Sequence, residues 1–155
     1  MIRTFAHCES PCEFRVLIKK ILGDTQTSVK IRIRDNSIRL RLMRGEVDNL
    51  HGDGQVSADT RFPGGDAFSY CVDSRAEGDQ LTASFDKNTM LVQIPRATVA
   101  AWATTEQVSI KADLPLDDGE FLQLLIEKDF ECLAPRDGED EADMYPHPGA
   151  DEGAC

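Results

Sequence analysis

The chain has 155 residues, 41% of them hydrophobic, and a formal net charge of −11. That length suits one domain with a real core, and the acidity disfavours a general coat for nucleic acid or anionic membrane while leaving room for one local basic patch. No stretch approaches the roughly 18 apolar residues that a membrane-spanning helix needs, and Arg15, Lys19 and Lys20 interrupt the only apolar run near the N-terminus, so neither a span nor a secretory leader is expected.

Residues 1–28 match nothing else in the chain. Their apolar run, Phe14–Leu22, is a marginal amphipathic segment. Val29 is the expected natural start, because a GTG codon is read as Met in initiation; residues 1–28 are then a non-native leader or disordered. Mass spectrometry of the native N-terminus tests this, and an intact Met1 peptide rejects it.

From Val29 onward the pattern is regular. Lys30–Arg34 and Ser37–Leu42 alternate around Asp35-Asn36 and read as a β-hairpin. Arg44–His51 is a short helix with Val47 and Leu50 inward, closed by Gly52-Asp53-Gly54. Gln55–Phe62 and Ala67–Asp73 are strands about the turn Pro63-Gly64-Gly65-Asp66. Ser74–Gln80 is a linker. Leu81–Asp86 and Thr89–Ile94 form a second hairpin about Lys87-Asn88, and Arg96–Ala103 is a helix opened by Pro95. Gln107–Ala112 and Phe121–Phe130 are the last strands, with a turn at Asp117-Asp118-Gly119. The tail, 134–155, carries seven acids against Arg136, with three prolines and three glycines. Such a composition buries too little apolar area to offset chain entropy and reads as disordered, with Met144-Tyr145-Pro146 a docking point.

This order contains a repeat. Residues 36–44 align without a gap on residues 88–96, at an offset of 52. Val47 falls on Val99, Leu50 on Trp102, and Gln55-Val56-Ser57 on Gln107-Val108-Ser109. A fixed-period match signals a repeated supersecondary unit. Each copy is ββαββ, so the expected class is mainly β with short helices (α+β): one globular domain over 29–133, with repeat one at 29–75 and repeat two at 81–130.

The unit resembles the AbrB/MazE swapped-hairpin family, whose pattern runs Gly-Asn-Ser, an alternating strand ending Val-x-Ile-Pro, a short helix, then Gly-Asp. Copy two keeps Asn88-Thr89 and Val92-Gln93-Ile94-Pro95 but has Thr104-Thr105-Glu106 where Gly-Asp belongs; copy one keeps Asn36-Ser37 and Gly52-Asp53 but has Met43 in place of Pro. The resemblance implies a single-chain pseudo-dimer, DNA binding through basic strands, or an antitoxin role in which the acidic tail holds a protein partner. The whole chain is also similar to a small bacterial family without assigned function, which opens on a hairpin like Ile31–Leu42 and closes on a segment like Glu127–Leu133 plus an acidic tail.

Pairing the first hairpin about its two-residue turn puts Lys30, Arg32, Arg34, Arg39 and Arg41 on one face and Ile31, Ile33, Ile38, Leu40 and Leu42 on the other. Cations directly opposite one another destabilise a sheet, so that face needs acids or an anionic ligand. Ligand binding makes the five cations a contact surface for phosphate or a protein partner; the structural alternative pairs them with acids such as Glu127, Asp129 and Glu131 on the last strand. The matching positions of copy two are Thr82, Ser84, Asp86, Leu91 and Gln93, none of them basic. A reader of palindromic DNA presents its basic patch twice, so DNA is disfavoured.

Catalytic support is thin. The sequence has no G-x-S-x-G, H-E-x-x-H, Walker A or G-x-G-x-x-G pattern, and no cofactor is expected. Five cysteines at positions 8, 12, 71, 132 and 155 form no C-x-x-C pair; they read as reduced thiols in a cytoplasmic protein rather than a disulfide framework, with Cys71 in the core. His7-Cys8 with Cys12, or Cys132 with His147 and Cys155, match no standard zinc spacing, so no metal is expected. The expectation is a non-enzymatic binding protein. The alternatives are an AbrB/MazE-like regulator or antitoxin, and a polyphosphate-binding β-barrel enzyme whose lumen takes bases from 30–41 and acids from 127–131.

Overall fold

The computed structural model describes residues 29–76, 78–131 and 142–146. Eight strands and two helices follow the order β1 (Lys30–Arg34), β2 (Ser37–Leu42), α1 (Arg44–Gly52), β3 (Gln55–Arg61), β4 (Ala67–Ala76), β5 (Thr82–Asp86), β6 (Thr89–Pro95), α2 (Arg96–Thr104), β7 (Ser109–Pro115) and β8 (Phe121–Lys128). The leader, the cysteines of both imagined zinc sets and most of the acidic tail lie outside the described residues.

The strands form two four-stranded sheets, ordered β1-β2-β8-β7 and β3-β4-β6-β5. Each sheet joins two antiparallel hairpins through a central parallel pair, β2 with β8 and β4 with β6. Exchanging each strand for the one four places away in the chain turns one strand order into the other. Tight turns set the first register of each half. Asp35 has φ +48°, and Lys87 and Asn88 have φ +45° and +61°, the left-handed pair that a two-residue hairpin of matching twist requires.

The offset of 52 holds for the first hairpins: Ile31 pairs with Leu40, and Ala83 with Val92. It does not hold for the second hairpins. Val56 pairs with Val72, and the matching pair in the other sheet is Ile110 with Ile126, an offset of 54. The expected equivalence of Val56 with Val108 is therefore corrected: Val56 is fully buried, whereas Val108 is 42% exposed and precedes β7. Thr105, Glu106, Gln107 and Val108 link α2 to β7 where only Asp53 and Gly54 link α1 to β3, so the chain reaches the core two residues later. Gln107, expected in a strand, lies before it.

One apolar cluster draws on both sheets and both helices, including Leu40, Leu42, Val47, Leu50, Ile94, Val99, Trp102 and Ile126. Both helices are only nine residues long, too short to persist alone, and are held by the apolar stripe each buries. Full burial of a side chain such as Leu50 or Val99 contributes about 1.5–3 kcal/mol. Lys30, Arg32, Arg34, Arg39, Arg41 and Glu127 sit on the outward face of the first sheet, opposite the apolar cluster. No helix among the described residues is long and apolar enough to cross a membrane.

Tyr70 ties the second sheet to the chain entering the first: its hydroxyl donates to Val29 O at 3.0 Å. Burial, then the nearby charges of Glu46 and Asp59, push its pKa from 10.0 up to about 12. The folded state thus holds the phenol proton more tightly than the unfolded state. This contribution is complete below pH 10 and is lost as pH rises toward 12. Urea titrations across that window are expected to show a loss of about 1–3 kcal/mol that Tyr70→Phe removes. A variant that loses stability as steeply as the wild type shows that another group controls alkaline unfolding.

A basic pocket on the outward face of the first sheet

Strand alternation places Lys30, Arg32 and Arg34 from β1 and Arg39 and Arg41 from β2 on one face, with Lys30 opposite Arg41 and Arg32 opposite Arg39. The parallel register then brings Glu127 of β8 beside Arg41. Lys30, Arg32, Arg39 and Arg41, with Ile31, line a pocket of about 150 Å³. Arg34 stays outside it, at the hairpin tip, where its exposed guanidinium is 3.7 Å from Asp35.

Two carboxylates hold most of the cations. Arg39 Nε donates to Glu127 Oε2, and Arg41 Nε lies 3.7 Å from the same oxygen. Asp129, just past β8, places Oδ2 3.1 Å from Lys30 Nζ and Oδ1 3.9 Å from Arg41 Nη1. The Lys30 contact has ion-pair distance without hydrogen-bond direction, so this buried oxygen has charge compensation and no aligned donor among the described residues. The Asp129 side chain is only 4% exposed, whereas Lys30 and Arg41 are 40% and 43% exposed. The acids are the fixed floor; the cations reach solvent. Arg32 is exposed and makes no ion pair among the described residues, and Arg41 is held only at long range.

Three guanidiniums and an ammonium thus converge over two carboxylates, Asp129 buried and Glu127 partly buried. The arrangement can take an anion: Arg32 is free to turn to it, and Arg41 gives up little in doing so. Lys111 extends the positive strip on β7, where its register partner is Leu125. The outward face of the second sheet differs, with Asp59, Asp73 and Asp86 against Arg61. Cys71 on that face is 1% exposed, as expected of a core residue.

A second constellation had no strong signal in the sequence beyond the docking point at Met144. Residues 142–146 pack against the start of α1 and the end of β8. Tyr145 forms a parallel bridge with Phe130, its N–H donates to Asp129 O at 2.8 Å, and its carbonyl accepts from Glu131 N at 2.9 Å. Asp143 caps α1: its carbonyl accepts from Arg44 N at 2.9 Å, and Oδ2 accepts from Gly45 N at 3.0 Å. The Tyr145 ring lies under Arg44 and Lys128, 5.4 and 5.3 Å from its centroid. Burial raises the Tyr145 pKa above 10.0. Lys128, itself buried, donates to Thr105 O at the C-terminus of α2. Among the described residues no group of three His, Cys, Asp or Glu is placed to hold a metal ion.

The model of a family of unknown function, DUF7009, matches residues 29–149. The chain belongs to this DUF7009 family. The match spans both sheets, the basic pocket and the docked segment at 142–146. No curated protein and no solved structure matches the chain.

Proposed function

We propose that this DUF7009 protein is a non-enzymatic binding protein that takes a small multivalent anion, of the phosphate or phosphate-ester class, on the outward face of its first sheet. The observation that carries the reading is Arg32, an exposed guanidinium without an ion-pair partner among the described residues, in a pocket shared with Lys30, Arg39 and Arg41. Internal pairing accounts for Arg39 and in part for Lys30 and Arg41, but leaves Arg32 unexplained. Calorimetric titration with pyrophosphate at low salt is expected to show binding that weakens as salt rises. The double variant Arg32→Ala with Arg39→Ala is expected to remain folded and to lose that binding. An unfolded double variant makes the face structural, and unchanged binding places the ligand elsewhere.

A second reading, of a tandem ββαββ duplication arranged as an AbrB/MazE-like pseudo-dimer, is favoured by the exchange of hairpins between sheets. In that arrangement the basic patch still occurs once, so a symmetric DNA reader remains disfavoured. A low-salt gel shift with random duplex tests it, and a clear shift would reinstate DNA. A protein partner for the acidic tail belongs to the same reading. A cytoplasmic setting rests on the cysteine pattern alone.

A further inference from the structure

The N-terminus of α1 lacks a cap of its own. Met43 occupies the cap position with extended backbone, and its thioether is a poor acceptor for the N–H groups ahead of it. Met43 and Glu46 satisfy each other: Met43 N donates to Glu46 Oε2 at 2.9 Å, and Glu46 N donates to Met43 O at 3.1 Å. The two N–H groups before it, Arg44 N and Gly45 N, donate to Asp143, about a hundred residues later. Gly45 is what admits it: a Cβ there would lie 2.9 Å from Asp143 Oδ2. The corresponding residue of α2 is Ala97, and Pro95 opens that helix.

The segment that supplies Asp143 is seated as a separate peptide would be. Tyr145 pairs parallel with Phe130, whereas a strand in a tight hairpin with β8 would pair antiparallel. Main-chain bonds to Asp129 O and Glu131 N hold it, as in the addition of an extended peptide to a sheet edge. Three successive side chains then meet three different surfaces. Asp143 meets the N–H groups of α1, Met144 is 3% exposed, and the Tyr145 ring lies between Arg44, Lys128 and Phe130. Arg44 Nη2 also donates to Met144 O at 3.2 Å.

We propose that this cleft, between the N-terminus of α1 and the end of β8, is a receptor for an extended acidic–apolar–aromatic peptide, occupied in cis by Asp143-Met144-Tyr145 and open in trans to a partner protein's segment of the same pattern. The surface is independent of the anion pocket in its side chains, and touches it only through Asp129, whose carbonyl holds Tyr145 N. Selectivity follows from the three contacts: a carboxylate for the helix terminus, an unbranched apolar chain for the enclosed position, and a ring for the two cations.

The test uses the full chain with its own segment disabled. Met144→Glu puts a charge in the enclosed position; Tyr145→Ser, at a half-buried position, is the second variant and is held to the same outcomes. A fluorescent peptide of residues 140–148 is titrated by anisotropy against wild type and variants that retain wild-type circular dichroism. The variants are expected to bind it at least tenfold more tightly than wild type, whose cleft is filled. Adding Gly45→Ala, or changing the peptide's Asp to Lys, is expected to remove that gain. A folded variant that binds no better than wild type overturns the proposal, and so does a gain that survives Gly45→Ala, because the peptide then sits elsewhere.

Discussion

Trp102→Ala lowers the stability of the fold by about 3–5 kcal/mol, the largest loss expected from a single substitution here. The indole is fully buried in the cluster that joins both sheets to both helices, and its Nε1 donates to Val108 O at 3.2 Å. Truncation opens a cavity and removes one of the two donors to that carbonyl, the other being Lys128 N at 3.1 Å, at the point where the chain leaves α2 for β7. Leu50→Ala, at the matching position of α1, costs about 2–5 kcal/mol. Val108→Ala stays within about 0.5 kcal/mol, because that side chain is substantially exposed. Denaturant unfolding with unchanged slopes checks all three. Equal losses at Trp102 and Val108 would restore the uniform offset of 52 and contradict the register of the second hairpins.

Asp129→Asn moves stability and ligand binding in opposite directions. The substitution preserves size but removes the charge that Lys30 and Arg41 share. Stability falls by about 1–3 kcal/mol, toward the lower end because both cations are partly solvated. Pyrophosphate affinity rises at least about fivefold, the effect of deleting one unit of like charge a few ångströms from a single negative charge even at the dielectric of bulk water. If the cations serve only internal pairing, the same variant loses stability and gains no affinity. Calorimetry and urea unfolding on one preparation separate the two cases.

Much of the fold is legible in the sequence because its signals are local. Alternation over Lys30–Arg34 and Ser37–Leu42, with a two-residue turn between them, fixes a hairpin without help from the rest of the chain. The apolar spacing of Val47 with Leu50, and of Val99 with Trp102, marks one buried face of each helix. The same alternation sorts the five cations of the first hairpin onto one side. What failed was the assumption of constant spacing: Gln107-Val108-Ser109 match Gln55-Val56-Ser57 by letter, but the longer exit from α2 moves the equivalent buried position to Ile110.

The sequence by itself determined the strands, both helices, the cationic face and the acids able to answer it, because period and turn chemistry act over a few residues. Only the tertiary structure decided that β2 lies parallel to β8, and hence that Glu127 and Asp129, rather than other acids, meet Lys30, Arg39 and Arg41. It alone separated Arg32 from its paired neighbours and placed Arg34 outside the pocket. It alone carried Asp143 to the uncapped start of α1. Strand partners, ion pairs and trans caps depend on residues tens of positions apart being brought to within a few ångströms, and no local pattern encodes which distant residue arrives.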